Sequence, residues 1–500
     1  MRIDLTDWHV RFLVGSQDLY GDEALQQVDR HTEAIVDGLN AAGDLLLPVR
    51  AIGVLRTADA ITEAIQEANA DPTCVGVITW MHTFSPAKMW VDGLQALRRP
   101  LLHLHTQFNR DLPWAEIDMD FMNLNQAAHG DREFGYICTR IGLERKVVVG
   151  HHADPGVHAR IDAWIRAAAA HHDLSRGTIA RLGDNMRRVA VTDGDRLEAE
   201  RRFGYRIDYY GVGDLVARVA EVTEEAVDHL CKEYGEAYAV ASELEPGAAR
   251  HESMREAARI ELGMRMLIDD LGAIAVTDTF EDLHGLRQLP GIAAQRLMAD
   301  GYGFGAEGDW KTAGLVRAMK VMETGLGGGT SFMEDYTYHL AEGEELVLGA
   351  HMLEICPSIA RETPTAEVHP LSIGDREDPV RLVFNAHAGE AVVASLIDMG
   401  DGMQLAVNEI EVVDPPADLP NLPVARAVWR PKPDLATSAE CWIQAGGAHH
   451  TCLSYAVTTE MLRDYAVMAG IDVLAITADT DATAFVDGLR ARRRGRGIDR

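Results

Sequence analysis

Over its first third the chain repeats one alternation, a short apolar run followed by an amphipathic stretch. "VRFLVGSQ" reads as a strand and "EALQQVDRHTEAIVDGLNAAG" as a helix that stops at glycine. "LLLPVRAIGV", "CVGVITWMHTF" and "LLHLHTQF" are strand-like, separated by the helical "ADAITEAIQEANA" and "PAKMWVDGLQALRR". Strands that alternate with helices are joined by crossovers, so this third is expected to form a parallel sheet covered by helices. Ligands on such sheets bind just past the carboxyl ends of the strands. The polar loop "GSQDLYG" (15–21) is therefore a candidate site segment.

The alternation resumes at "TIARLGDNMRRVAVTDGD" and continues to the strand "AIAVTD". After "GLGGGT" (325–330) helical periodicity gives way to short alternating runs such as "EELVLGAHMLEI", "VRLVFNAH" and "MQLAVNEIEVV". The 500 residues are thus expected as three domains. Two are α/β domains with parallel sheets, over 1–177 and 178–328, and the third, over 329–500, is mostly β and barrel-like.

The formal charge of −31 argues against a nucleic-acid or anionic-membrane partner, both of which need clustered cations. The basic run "RARRRGRGIDR" at the C-terminal end reads as a solvated, mobile tail. Six scattered cysteines form no C-x-x-C or disulfide framework. The acidic start lacks the basic leader of a signal peptide, and no apolar run reaches the ~20 residues of a membrane helix. A cytoplasmic protein is expected.

The chemistry-bearing residues are scattered. "GYGFGAEGDWKTAGL" (301–315) contains G-x-G-x-x-G, but a helix-like segment precedes it, which excludes the dinucleotide reading. It leaves Glu307 in a glycine-rich loop and Asp309 as an N-cap. "GGGTSFMEDYTYHL" presents Glu334 and Asp335, "LVLGAHMLEICPSIA" presents His351 and then Glu354, and "AGGAHHT" presents His449 and His450. Taken singly, each reads as a turn acid or a core histidine. Together, Glu307, Glu334, His351 and one of His449 or His450 match the mixed oxygen and imidazole set of an octahedral Mn²⁺-type ion. The absence of cysteine among them disfavours structural zinc.

Across nearly its whole length the sequence resembles the bacterial L-arabinose isomerase family. The resemblance is carried by "GSQDLYG", "WMHTFSPAKMW", "IDMDFMNLNQAAHGDREFG", "QLPGIAAQRLMADGYGF", "EGDWKTA", "SFMEDYTYHL", "GAHMLEICPSI", "HPLSIG" and "AGGAHHT", in order. It implies a catalytic Mn²⁺, replaceable by Co²⁺ or Mg²⁺, on Glu307, Glu334, His351 and His450. Both glutamates would also be acid–base groups. His449, Met186, Phe280 and Ile373 would contact the sugar from the same chain. Gln17, Leu19, Tyr20, Phe84, Gln126 and His129 would reach a neighbouring chain's site, in a homohexamer of two trimers.

The implied reaction is L-arabinose to L-ribulose through a cis-enediol, with D-galactose to D-tagatose as a weaker reaction. A related isomerase of other sugar preference, a non-catalytic sugar-binding protein and a metal hydrolase are the alternatives. The sequence departs from the family pattern at Asp18, where histidine is usual, and in the residues just before Glu307. The pair His151-His152 follows the strand-like "KVVVG", and His171-His172 ends an alanine-rich helix, where imidazoles suit the terminal carbonyls; both read as structural.

Overall fold

The computed structural model describes residues 3–371 and 376–495. By compactness the chain divides into two units. One holds Asp4–His172 with Arg463–Ala469, and the other holds the rest of the described chain.

The first unit is built on five parallel strands, β1 (His9–Gly15), β2 (Val49–Leu55), β3 (Cys74–Met81), β4 (Leu101–His105) and β5 (Lys146–Val149). Their order is β2-β1-β3-β4-β5, the doubly wound arrangement expected from the alternation. All eight residues of β3 are buried, as a central strand covered on both faces requires. The strand expected over 45–54 begins only at Val49. Pro48 has no N–H to give a ladder and contributes only its carbonyl, to Val10 N at 3.0 Å.

A cleft of about 310 Å³ at the amino edge of this sheet gathers Arg98, Arg99, Arg145 and Lys146. Crossovers deliver helix C-termini to this edge, and cations complement the carbonyls left there. Arg99 donates to the carbonyls of Ala68, Asn69 and Asp71 at 3.1, 3.1 and 2.7 Å, and Arg145 to that of Gly135 at 2.9 Å. Lys146 pairs with Asp464 at 2.5 Å. These charges serve the fold, and the cleft carries no assignment. His172 belongs to the same layer, between Arg99 at 3.1 Å and the carbonyl of Pro72 at 3.0 Å, rather than on its own helix end.

The second unit contains two layers and a barrel. Four parallel strands, β6 (Thr178–Leu182), β7 (Arg206–Tyr210), β9 (Ala275–Asp278) and β10 (Gly303–Gly305), lie in the order β10-β9-β6-β7. A small sheet joins β8 (Ala239–Val240), β13 (Thr365–Val368) and β14 (Val380–Val383). Then β11 (Thr330–His339), β12 (Leu346–Ala350), β15 (Gly389–Asp398), β16 (Met403–Val413), β17 (Arg426–Pro431) and β18 (His450–Ser454) pair antiparallel in the cycle β15-β18-β11-β12-β17-β16. The β15–β16 pairing closes that cycle, so these six strands form the expected barrel, with β19 (Asp472–Ile476) added parallel to β16. β11, which by itself reads as a turn into an edge strand, is an interior strand.

The helix Trp310–Met322 packs on β9 and β10 and on the barrel strands β11 and β18, and all thirteen of its residues are buried. Its cations are met by groups outside the helix. Arg317 binds both oxygens of Asp173 at 2.7 and 2.9 Å, Lys311 donates to the carbonyl of Asp193 at 2.7 Å, and Lys320 to that of Thr330 at 2.9 Å. The basic run read as a tail is helical as far as Gly495. Residues 496–500 lie outside the described ones.

Candidate active site

Barrel register places three of the four expected ligands side by side. In the antiparallel pairs, Glu334 on β11 stands opposite His450 on β18 and opposite Ala350 on β12. His351 is the next residue, where the strand has already ended. One ligand atom each of Glu307, His351 and His450 lies within 4.8 Å of the others, and the same holds for Glu334, His449 and His450. His450 Nε2 is 3.8 Å from a Glu307 oxygen, and His351 Nε2 is 3.9 Å from a Glu334 oxygen. Phe332 packs edge-on against both imidazoles, with ring centres 5.1 Å apart in each case.

Glu307 arrives from the carboxyl edge of the four-stranded parallel sheet. It is not a surface residue of a mobile turn. Its φ is +60°, a left-handed conformation that costs a non-glycine residue about 1 kcal/mol or more. The turn is held from both sides. Met186 N donates to the Glu307 carbonyl and Gly308 N to that of Asp278, each at 2.9 Å. Gly303 and Gly305 let the buried helix close onto β10, because a Cβ there would lie 2.1 Å from Ala313 O and 2.2 Å from Asp309 O. Of the G-x-G-x-x-G glycines, Gly303 and Gly305 therefore serve helix–strand packing, and Gly308 a turn at φ +80°, not a nucleotide.

Each imidazole is oriented by a carboxylate behind it. Asp309 Oδ2 lies 3.1 Å from His450 Nδ1, and Glu354 binds His351 Nδ1 while accepting from Leu353 N at 3.0 Å. Both Nε2 atoms are thereby left towards the glutamates, and that of His450 is buried with no hydrogen-bond partner. Asp309 caps the following helix through Thr312 N, as its position predicts, but its second oxygen has this further role, which sequence spacing does not reveal.

The electrostatics follow from burial and this pairing. At His351 burial opposes the charged form, yet Glu354, Glu334 and Glu307 overrule it and lift the imidazole to about 9. Burial also raises Glu334, against the pull of His351 and His450. At Asp309 burial is outweighed by Lys311 and His450, which hold the carboxyl well below its ordinary range. Burial, reinforced by the adjacent His450, takes His449 down to about 4, keeping it neutral near pH 7.

A cavity of about 110 Å³ is bounded by Glu307, Glu334, His351, Phe280, Tyr336 and Asp278, among others. Phe280 is thus one wall of this cavity. Met186 reaches the site through its backbone bond to Glu307, and the His449 ring centre is 4.6 Å from that of His450. Ile373 lies outside the described residues. Asp278 was not foreseen, since an acid at the end of an apolar strand carries no signal of its own.

In the first unit, the residues expected at a neighbour's site form one connected surface group. Gln126 Nε2 donates to the Tyr20 hydroxyl at 2.9 Å, His129 Nδ1 lies 2.8 Å from Gln126 Oε1, and Phe84 stacks on His129 at 4.9 Å. Gln17 precedes the short turn Asp18–Tyr20, and Leu19 is 84% exposed. Asp18 pairs with Arg56 at 2.9 Å, which offsets the charge it introduces. Beneath them, His103 and His105 bind Asp131 at 2.6 and 2.5 Å. Those are hydrogen-bond separations; two ligands of one ion, each about 2.1 Å from it, stand about 3 Å apart.

Oriented imidazoles beside a cavity that strained or buried carboxylates line are the build of an enzyme. Comparison with known proteins is specific. Family models described as the L-arabinose isomerase N-terminal, central and C-terminal domains match residues 4–176, 178–325 and 329–472. L-arabinose isomerase from Nocardioides sp. is 60% identical over 96% of this chain and 95% of its own. Those of Geobacillus stearothermophilus and Herpetosiphon aurantiacus are each 56% identical over 98% of this chain and 98% and 97% of theirs. The chain belongs to the L-arabinose isomerase family.

Proposed function

We propose that this protein is a metal-dependent aldose–ketose isomerase that converts L-arabinose to L-ribulose, with D-galactose to D-tagatose as a weaker second reaction. The observation that carries the reading is the clustering of Glu307, His351 and His450, with Glu334 3.9 Å from His351 and three of the four bordering one cavity, in a chain whose relatives bear that enzyme's name.

The donor set fits a hard divalent ion. Two carboxylates and two imidazoles suit Mn²⁺, with Co²⁺ or Mg²⁺ as substitutes. The unpartnered Nε2 of His450 is what a ligand atom looks like with its other nitrogen already bonded. Bound there, the ion would supply Lewis-acid polarisation of the sugar carbonyl as C1 and C2 exchange oxidation level. The chain's own groups handle the protons. One of Glu307 and Glu334 takes the proton from C2 and returns it to C1, and the other moves the proton between the two oxygens, through a cis-enediol. His449, neutral near pH 7, would hydrogen-bond the sugar, and Phe280 would keep water from its wall of the cavity.

The proposed setting is cytoplasmic. The proposed assembly is a homohexamer in which Gln17, Leu19, Tyr20, Phe84, Gln126 and His129 complete a neighbouring chain's site. No described helix is long and apolar enough to cross a membrane.

L-arabinose deuterated at C2 tests the reaction itself. The expected result is L-ribulose, a primary isotope effect, and part of the label exchanged with solvent. Ketose that keeps all the label and takes none from D₂O would overturn the enediol route, and no ketose at all would overturn the function. Orientation of the imidazoles has its own test. Asp309→Asn and Glu354→Gln are expected to weaken Mn²⁺ binding, read by equilibrium dialysis, by about 10- to 100-fold. Unchanged affinity in both would remove the role given to those carboxylates.

A further inference from the structure

Asp278 ends β9, is only 5% exposed, and borders the cavity shared by Glu307, Glu334 and His351. Its backbone carbonyl is used by Gly308 N, but its side-chain Oδ2 is buried with no hydrogen-bond partner. A buried carboxyl oxygen left unpaired is unfavourable whether the group is charged or neutral, so a fold that keeps one at a cavity wall has its partner arriving from outside. The described groups close enough to share a cation do not include Asp278, which separates it from the proposed metal position.

The surroundings define the partner's chemistry. Glu307, Glu334 and Glu354 also border the cavity, so a phosphate or carboxylate ligand would meet four acids. The neighbouring walls, Phe280, Leu283 and Pro290, are apolar and donate nothing to the carboxylate. What fits is a neutral group carrying its own donor, namely an alcohol.

We propose that Asp278 is a specificity-determining residue, accepting a hydrogen bond from one hydroxyl of the sugar chain away from the two reacting carbons. This rests on the reading of the cavity as a sugar-isomerase site and adds to it the element that measures the rest of the sugar. A site built to bond a hydroxyl rejects the analogue lacking it far more strongly than an apolar pocket rejects a missing methylene, because its own buried group is left bare.

The test uses the Mn²⁺-loaded full chain and calorimetric binding of L-arabinitol, which cannot isomerise, with its 3-, 4- and 5-deoxy derivatives. In the unmodified protein, one derivative is expected to bind about 10- to 100-fold more weakly than L-arabinitol. Asp278→Ala is expected to weaken L-arabinitol by the same factor while leaving that one derivative unaffected. Asp278→Asn, which keeps the shape and a neutral acceptor, should show a smaller loss with the same selectivity, and it gives the answer if the alanine variant does not fold. Equal binding of L-arabinitol by variant and parent, or an equal loss for every derivative, overturns the proposal. If the parent isomerises L-arabinose while Asp278 proves irrelevant, only this inference fails. If the parent binds no polyol and forms no ketose, the isomerase reading fails with it.

Discussion

Glu307→Gln and Glu334→Gln are each expected to lower kcat for L-arabinose isomerisation by about 10²- to 10⁴-fold, the usual contribution of a positioned acid–base group. Alanine at either position should abolish turnover, because the proposed cation ligand is lost as well. Stability should move the other way. Glu307 holds a φ of +60°, and it shares its cavity with Glu334, Glu354 and Asp278, so removing one carboxylate relieves like-charge repulsion. Glu307→Gly relieves the backbone strain as well, and its thermal midpoint should equal or exceed that of the parent. A catalytic group held in a strained, crowded position is where activity and stability oppose one another. Normal turnover in either glutamine variant would remove the mechanism. Lost turnover together with a lowered midpoint would show only that the residue supports the fold.

Stripping divalent ions with a chelator is expected to abolish isomerisation, and Mn²⁺ to restore it. The same experiment has a readout independent of turnover. An ion that binds only the folded chain adds about 2.7 kcal/mol at a concentration 100 times its Kd. For the unit of about 300 residues that holds the site, that should raise the thermal midpoint by roughly 4 °C. His450→Ala should lose both effects, since its ring is fully buried and its Nε2 has no other partner. Restoration of the thermal shift without ketose formation would point to a sugar-binding relative that has kept its ion. Undiminished activity after verified stripping would exclude the proposed role of the ion.

Much of the site's membership was legible, and little of its geometry. Glu307, Glu334, His351 and His450 stand out as acids and imidazoles beside small residues, and the family resemblance chose His450 over His449. Asp309 was legible as a helix cap, because capping depends on the next three residues. Its bond to His450, 141 positions away, was not. Asp278 gave no signal, since burial without a partner is a property of the assembled cavity. The helix Trp310–Met322 makes the same point. Its lysines and arginine are satisfied inside the protein by Asp173, Asp193 and Thr330, all outside the helix itself.

The sequence by itself determined the local architecture: parallel α/β layers from strand–helix alternation, a β-rich region from period-two runs, and helix ends from caps and glycines. These depend on interactions within a few residues, which a linear reading contains. Tertiary structure alone decided that β15 and β16 close a barrel, and that β11, β18 and β12 align Glu334 beside His450 and His351. It also decided that Glu307 is pinned between Met186 and the Asp278–Gly308 contact. Strand register and loop strain are set by packing among segments far apart in the chain, and a shift of one residue would turn Glu334 to the opposite face of its sheet.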